Sequence, residues 1–344
     1  MRPSILPALQ GLSRLLGHKP DDVMEHASER WQVAPGGAVH VKPALMLANQ
    51  LERIRGAEFA TVSEVVRDFR GGFDVTQRPT MGYAFRDAVL LDGVLYAGAA
   101  TRHLRPGAGR IPMGMVQHES SRAAFYESWT GNRWFGNWLS DDCLTYSLAE
   151  SAGVPTATLP AKGHQPDYER RLGMTVVRAR ATEFDELILF DDLPNNPDKR
   201  ARATGLRRRL VGAEPREHRG VFLLRGTTGA RRVLVNELQI AEHLATRRGF
   251  LVLDPSNASL DQIVSACAGA DVVAGVEGSH LVHGLVMMPA GARALVIQPP
   301  ARAVVALKLL TDRQGQDYSV VVGTGGDDVF YADIDEIDRT LDLV

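Results

Sequence analysis

Hydrophobic positions follow two periods along this chain, and the switches between them set its organisation. From residue 221 onward, short apolar runs at 221–224, 250–253, 269–276 and 294–298 alternate with stretches at 238–247 and 260–268, where apolar residues return every three or four positions. The runs predict buried strands and the stretches predict helices. Their alternation predicts a parallel, doubly wound sheet of the α/β class. The sharpest switch lies at 271–289, D-V-V-A-G-V-E-G-S-H-L-V-H-G-L-V-M-M-P. Val272, Val273 and Val276 form a strand-type run, Glu277, Gly278 and Ser279 break it, and Leu281, Leu285 and Met288 repeat at helical spacing. A tight turn from a buried strand into a helix offers free N–H groups and the positive end of a dipole, a combination that suits phosphate. Ligands of such sheets bind beyond the carboxyl ends of the strands, and Arg225, Asp254 and Glu277 all fall there.

The first half of the chain has a different pattern. Residues 1–30 read as helical, with Pro20 and Asp21 starting a second helix. From Trp31 short extended pieces and turns dominate, including Gly36 with Gly37, the alternating residues 39–41, and Gly71 with Gly72. The run 87–97 places Asp92 and Gly93 between two apolar segments, a hairpin signature. The chain reads as β-rich to about residue 115, with His103 and Arg105 as scattered surface groups. Three of the four tryptophans then fall at 129, 134 and 138. Trp134, Trp138 and Asp141 or Asp142 are spaced to share one helix face, where carboxylates beside aromatics either cap the helix or meet a polyol. A helix at 167–172 and strands at 174–177 and 186–190 follow. The second strand ends in Asp191 and Asp192 before L-P-N-N-P, which reads as a turn at a sheet edge. The basic stretch 199–210 reads as a solvated linker helix. The expected domains are 1–212 and 213–330, with a helix at 331–344 that could return to the N-terminal domain.

Composition narrows the function. A chain of 344 residues is long for one core, so two domains are expected. A formal net charge of −2 supplies no basic field for nucleic acid. Two cysteines, Cys143 and Cys267, are too few for a disulfide framework or a Cys-based metal site, and a reducing, cytoplasmic setting fits. No run is long enough for a transmembrane segment and no signal peptide is legible. An amphipathic stretch at 5–16, followed by Lys19, leaves peripheral contact with the inner face of a membrane open. His280 and His283 lack an acidic or cysteine partner at metal-ligand spacing, so no metal is expected. The fingerprints G-x-G-x-x-G, G-x-x-x-x-G-K-[ST] and G-x-S-x-G are all missing, which argues against NAD enzymes, P-loop NTPases and α/β-hydrolases.

Taken in order, Arg225 at a strand end, Arg231 and Arg232 after a glycine-rich turn, Asn236 with Glu237, a helix carrying Gln262, and A-D-V-V-A-G-V-E-G-S-H-L-V-H-G-L-V-M-M-P-A-G-A resemble the glycosyltransferase 61 family, the capsular polysaccharide biosynthesis protein type, also described as DUF563-like. That family's pattern runs roughly as a strand ending in S-R, then R-R-x-x-x-N-E, E-Q-I and V-G-x-H-G-A-x-L-x-N-x-x-F. Upstream, W-F-G-N-W-L-S-D-D-C-L is similar to its H-W-L-x-D-x-L-P segment, with Trp138, Leu139 and Asp141 matching. The resemblance covers about residues 120–300. Three positions depart from it: Glu277 and His283 stand where the family has His and Asn, and Asn137 replaces the His before Trp138.

The resemblance implies a GT-B-like fold, two Rossmann-like domains facing a cleft, with the parallel sheet in the C-terminal domain and a β-rich N-terminal portion. It implies an inverting, metal-independent hexosyl- or pentosyltransferase of surface polysaccharide synthesis. A nucleotide sugar would be the co-substrate, with no further cofactor, and a saccharide or glycoconjugate the acceptor. Such transfer needs a base for the acceptor hydroxyl and positive or N–H groups for the departing diphosphate. Asp141 or Glu277 is the base implied. Arg225, Arg232, Asn236, Glu237, Gln262, Gly278, Ser279, His280 and His283 are implied on the donor side, and Asn137, Trp138 and Asp142 on the acceptor side. A GT-B epimerase, or a non-catalytic glycan-binding or scaffold protein of polysaccharide assembly, is the rival reading. The sequence leaves the sugar, the linkage and the oligomeric state open.

Overall fold

The computed structural model describes residues 1–17, 22–98, 100–107, 114–213, 215–226 and 232–343. The chain folds into two compact units, Met1–Gly37 with Arg78–Arg202, and Ala38–Gln77 with Ala203–Val344. A single break at 212/213 therefore does not describe it: residues 38–77 join the second unit, and the helix Pro197–Val211 straddles the division at 202/203.

The second unit is built on a five-stranded sheet in the order Leu251–Leu253, Val221–Leu223, Val272–Val276, Arg293–Gln298 and Asp317–Val322, all parallel. Side chains alternate across each strand. Phe222, Ala274, Leu295 and Val321 pack with Ile240 and Leu244 of the helix Glu237–Arg248 and with Ile337 of the helix Ile334–Leu341. Val273 faces the other way, against Gly284 of the helix Leu281–Leu285, where a Cβ would meet its Cγ1 at 2.6 Å. Helices thus cover both faces, as the alternating periods predict. The helix Ile334–Leu341 belongs to the second unit and packs in this core. Strand order reverses between Val221–Leu223 and Val272–Val276, and ligand crevices of doubly wound sheets open at such a reversal.

Residues 38–77 extend this unit. Leu45 bridges Ser319 of the edge strand, and Phe69 stacks on Tyr318 with ring centroids 5.8 Å apart. Phe69 belongs to the helix Val62–Arg70, which the β-rich reading missed although Thr61 and Glu64 form a capping box at its start.

The first unit holds a mixed sheet, nine-stranded among the described residues. Its main path runs Val177–Arg178, Val154–Ala157, Gly114–Phe125, Ala181–Asp191, Thr80–Leu91, Val94–Ala97 and Ala100–His103. The first four are parallel and the rest antiparallel, so the expected Rossmann-like pattern meets a sheet that is parallel on one side only. The hairpin falls where expected: Leu91 pairs with Val94 around Asp92 and Gly93, whose φ of 50° and 71° suit a type I′ turn. Ala181–Asp191 lies mid-sheet, paired on both sides, so the acids that end it are not at an edge.

Residues 1–30 are less helical than their pattern suggests. The helix Leu6–Leu15 and a short 3-10 turn, Val23–His26, are flanked by the strands Arg2–Ser4 and Glu29–Ala34, because sheet pairing claims the flanking residues. Pro20 and Asp21 lie outside the described residues. No helix among the described residues is long and apolar enough to cross a membrane.

Candidate functional site

In the second unit the chain leaves Val221–Leu223 and reaches Arg225, whose backbone N–H donates to Glu237 Oε1 at 2.7 Å. The next N–H, that of Gly226, donates to Glu237 Oε2 at 2.8 Å. Glu237 therefore ties down the loop that carries Arg225. Burial raises its carboxyl above the usual range, against the pull of the two backbone bonds. The Arg225 side chain is buried and donates from Nη1 to the Arg232 carbonyl at 3.1 Å. Arg232 Nη2 in turn lies 3.0 Å from Glu277 Oε2.

Glu277 continues the third strand, its N–H donating to the Ile297 carbonyl at 3.0 Å. Its carboxyl is raised by burial, while the charges of Arg232 and Arg225 oppose the shift. His280 is pushed down to about 3 by desolvation and by the charge of Arg225, so its imidazole is neutral at ordinary pH. Gly278 lets these groups converge: a Cβ there would come within 3.0 Å of His280 Nδ1 and 3.3 Å of Arg225 Nε.

Arg232 Nε and Nη1 and His280 Nε2 are buried with no hydrogen-bond partner. A buried donor left without an acceptor costs about 1–3 kcal/mol. Their concentration at the carboxyl ends of the strands, where the strand order reverses, marks a place where a ligand would supply acceptors.

The helix expected to receive phosphate is only Leu281–Leu285, and its start is closed by bonds of 3.1–3.3 Å from Leu281, Val282 and His283 back to Gly278, Ser279 and His280. A five-residue helix has little macrodipole, so arginines carry the positive charge here. Ser279 is half-buried at this turn and His283 is buried in the short helix. Asn236 is also buried, but its amide donates to the Ala332 carbonyl at 2.7 Å and accepts from the Ala332 N–H at 3.3 Å, which commits it to the backbone. Gln262 stands apart, exposed in a capping box with Ser259. Asp254 accepts from Ser256 and Asn257 within its own loop. Arg231 and residues 227–230 of the glycine-rich turn lie outside the described residues.

In the first unit, Asp141 sits in a π-helical turn, Trp138–Asp142, between the short helix Phe135–Asn137 and the helix Cys143–Ala152. Such one-turn widenings recur at functional sites. This one breaks the single α-helical face expected for Trp134, Trp138 and Asp141. Asp141 Oδ1 lies 2.9 Å from Lys199 Nζ, while Oδ2 accepts from Ser140 Oγ at 3.0 Å and Asn137 Nδ2 at 3.4 Å. Lys199 is only 1% exposed and also donates to the Asp192 carbonyl at 2.7 Å. The Asp192 carboxylate is a buried hub that receives both Nη atoms of Arg202 at 2.6 and 2.8 Å, Thr145 at 2.8 Å and Thr80 at 3.0 Å. The Pro197–Val211 helix is therefore not a solvated linker throughout: Lys199 and Arg202 point into the fold. Sequence reading missed Lys199, Asp192 and Arg202, although acids at a strand's carboxyl end were the available signal.

Asp141 lines a cavity of about 180 Å³ with Arg102, Glu127, Trp129 and Asp191. Asp142 borders the same cavity in a different state. It is buried, accepts the Ser128 N–H at 3.1 Å, and is raised well above the usual carboxylate range by burial, with the charge of Asp141 adding to the shift. Trp138 is core: it is buried against Phe135 and Tyr168 at centroid distances of 5.9 and 6.2 Å. The tryptophan at the cavity is Trp129, exposed and capped by the Arg133 guanidinium at 5.2 Å.

The family model described as Glycosyltransferase 61 matches residues 110–295, which takes in both clusters. Comparison with curated proteins gives no match.

Proposed function

Because a match over more than half of its 344 residues makes this chain a member of the glycosyltransferase 61 family, we propose that it moves a sugar from a nucleotide-sugar donor to a saccharide or glycoconjugate acceptor, with inversion and without a metal ion. The observation that carries this reading is the pair Arg225 and Arg232, buried at the carboxyl end of the sheet with Arg232 donors that lack acceptors. Guanidinium forks match phosphate oxygens and stay charged at any working pH. They would take the negative charge that a metal ion takes elsewhere.

Inversion is a single displacement. The acceptor oxygen attacks the anomeric carbon from the face opposite the diphosphate, the bond from that carbon to the leaving oxygen breaks, and the acceptor proton passes to a base. We assign the base to Asp141. It lines an open cavity with a quarter of its side chain exposed, and Lys199 and Ser140 fix its direction. Glu277 is less suited, being buried and paired with Arg232. Asp142 is less suited too, being buried, held by the Ser128 N–H and shifted upward by burial. The GT-B arrangement, a hexose or pentose donor, and surface polysaccharide synthesis on the cytoplasmic side of a membrane all belong to this proposal.

Thermal shift with a panel of nucleoside diphosphates and nucleotide sugars, followed by transfer assays after dialysis against EDTA, tests the reading. A nucleotide response lost in Arg225→Ala and retained in Asp141→Asn, with transfer lost in both, is the expected result. Full transfer in both variants, or transfer that EDTA abolishes, overturns it.

A further inference from the structure

Arg302 lies beyond the residues matched by the family model, in the turn after Arg293–Gln298. That strand pairs with Val272–Val276 in register Val276 to Ile297, so its carboxyl end lies beside Glu277. The turn is held from two sides. Gln298 donates to the Val304 carbonyl at 2.8 Å and accepts the Val304 N–H at 3.1 Å. Residues 55–58 grip the outer side: Arg55 N–H donates to the Pro300 carbonyl at 2.7 Å, Glu58 N–H to Ala303 at 3.1 Å, and Ala303 N–H to Gly56 at 2.9 Å. Gly56 has no room for a side chain, since a Cβ would sit 2.2 Å from the Ala301 carbonyl oxygen.

A turn fixed this way presents the Arg302 guanidinium in one place. Nη2 pairs with the Glu58 carboxylate, and Nη1 points toward Glu277 Oε2 at 4.0 Å, buried and without a hydrogen bond. The same Glu277 oxygen lies 3.0 Å from Arg232 Nη2. Glu277 pairs with Arg232 and approaches Arg302, Glu58 pairs with Arg302, and the charge of Glu237 acts on Arg225. Arg232 Nε, Arg232 Nη1 and Arg302 Nη1 are donors still without acceptors. A buried guanidinium, that of Arg232, and a half-buried one, that of Arg302, both facing one carboxylate oxygen with donors to spare, form a geometry that phosphoryl oxygens would complete.

We propose that Arg302 is a third arginine for the donor diphosphate, kept in position by Glu58 and Glu277 until phosphate oxygens arrive. The inference rests on the donor-site reading given above. Its rival is a clamp, in which Arg302 serves only to dock residues 55–58.

Inorganic pyrophosphate is the probe, because it needs no knowledge of the base or the sugar. Its dissociation constant is measured by calorimetry for the full chain and for Arg302→Ala, Glu58→Gln and Arg225→Ala, with a thermal melt of each. Arg302→Ala is expected to weaken pyrophosphate at least tenfold, whereas Glu58→Gln, which breaks the same ion pair but keeps the guanidinium, binds it as well as or better than the parent. If Arg225→Ala loses binding and Arg302→Ala does not, Arg302 is no ligand and the donor site stands without it. If neither loses binding, the donor-site reading falls and this inference with it. Parallel losses of binding and melting temperature in Arg302→Ala and Glu58→Gln identify a clamp and overturn the proposal.

Discussion

The arginine cluster of the second unit and the Asp141 cavity of the first are both built from buried charge, yet they are assembled in opposite ways. Arg225 and Arg232 follow Val221–Leu223 and Glu277 follows Val272–Val276, neighbouring strands of one parallel sheet. The Asp141 surroundings come from residues 141, 192 and 199, gathered from a π-helical turn, the end of a central strand and the first turn of a helix. Regular topology places the first set almost without help from tertiary detail. The second set exists only because Lys199 is buried, against the usual habit of lysine. Sites of the first kind can be read from periodicity, while sites of the second kind require knowing which charges fold inward.

The comparison breaks most visibly at Asp141. Asp141→Asn should lower transfer by about 10²- to 10⁴-fold, the usual range for a lost general base, while pyrophosphate binding stays unchanged. A matching loss of pyrophosphate affinity would show that the two clusters are not separate in function. Asp142→Asn serves as the contrast: Asp142 is buried on the Ser128 N–H, a bond that the Asn carbonyl oxygen can still accept, and transfer should persist.

Lys199→Met comes next. It removes the ammonium that fixes Asp141 while keeping an apolar stem, and the expected result is a drop in kcat of about tenfold to a hundredfold with the donor KM unchanged. A rise in donor KM instead would place Lys199 on the donor side.

Gly131→Ala should act on stability. A Cβ at this position would lie 1.8 Å from Asp142 Oδ2, so the carboxyl group must move or the helix Trp129–Arg133 must shift. The expected cost is about 1–3 kcal/mol in urea unfolding, typical of overpacking.

The smallest effect belongs to the second unit. Arg53 donates to both Glu336 oxygens, at 2.5 and 2.6 Å, and this pairing holds the Glu336 carboxyl below its ordinary value. A depressed carboxyl stabilises above its unfolded pKa, about 4.3, and that contribution fades as pH falls through the lower folded value. Arg53→Ala should therefore cost about 1 kcal/mol at pH 7 and much less at pH 3 in matched urea melts. An equal cost at both would assign the effect to packing of the arginine stem.

The sequence made much of the second unit legible. Four of its strands and three of its helices follow from apolar period, and Arg225 and Glu277 follow from strand ends. Asn236 and Gln262 are legible as helix-start residues, but it is the fold that makes one clasp Ala332 and the other cap its own helix. The first unit was harder, because a mixed sheet mingles both strand patterns and Ala181–Asp191 owes its central place to partners far away in sequence. Asp191 and Asp192 stand out in the sequence as acids ending a strand. The L-P-N-N-P that follows them reads as an edge, and the largely buried Arg202 that answers Asp192 sits in a helix whose charges spread over more than one face.

The segment 38–77 has a consequence for how the protein is made. Lys42 and Asp317 are 275 positions apart yet joined at 3.0 Å, and the strand Asp317–Val322 is the edge that Leu45 and Phe69 cover. At about 5–20 residues per second of synthesis, the segment emerges roughly 15–50 s before the strand it must meet. During that interval Phe69 has no sheet to pack on, and the helix Val62–Arg70 has to rely on its capping box alone. The second unit can close only near the end of translation, and a ribosome stalled before residue 317 would leave a greasy helix waiting beside an unfinished sheet, the kind of surface that chaperones bind.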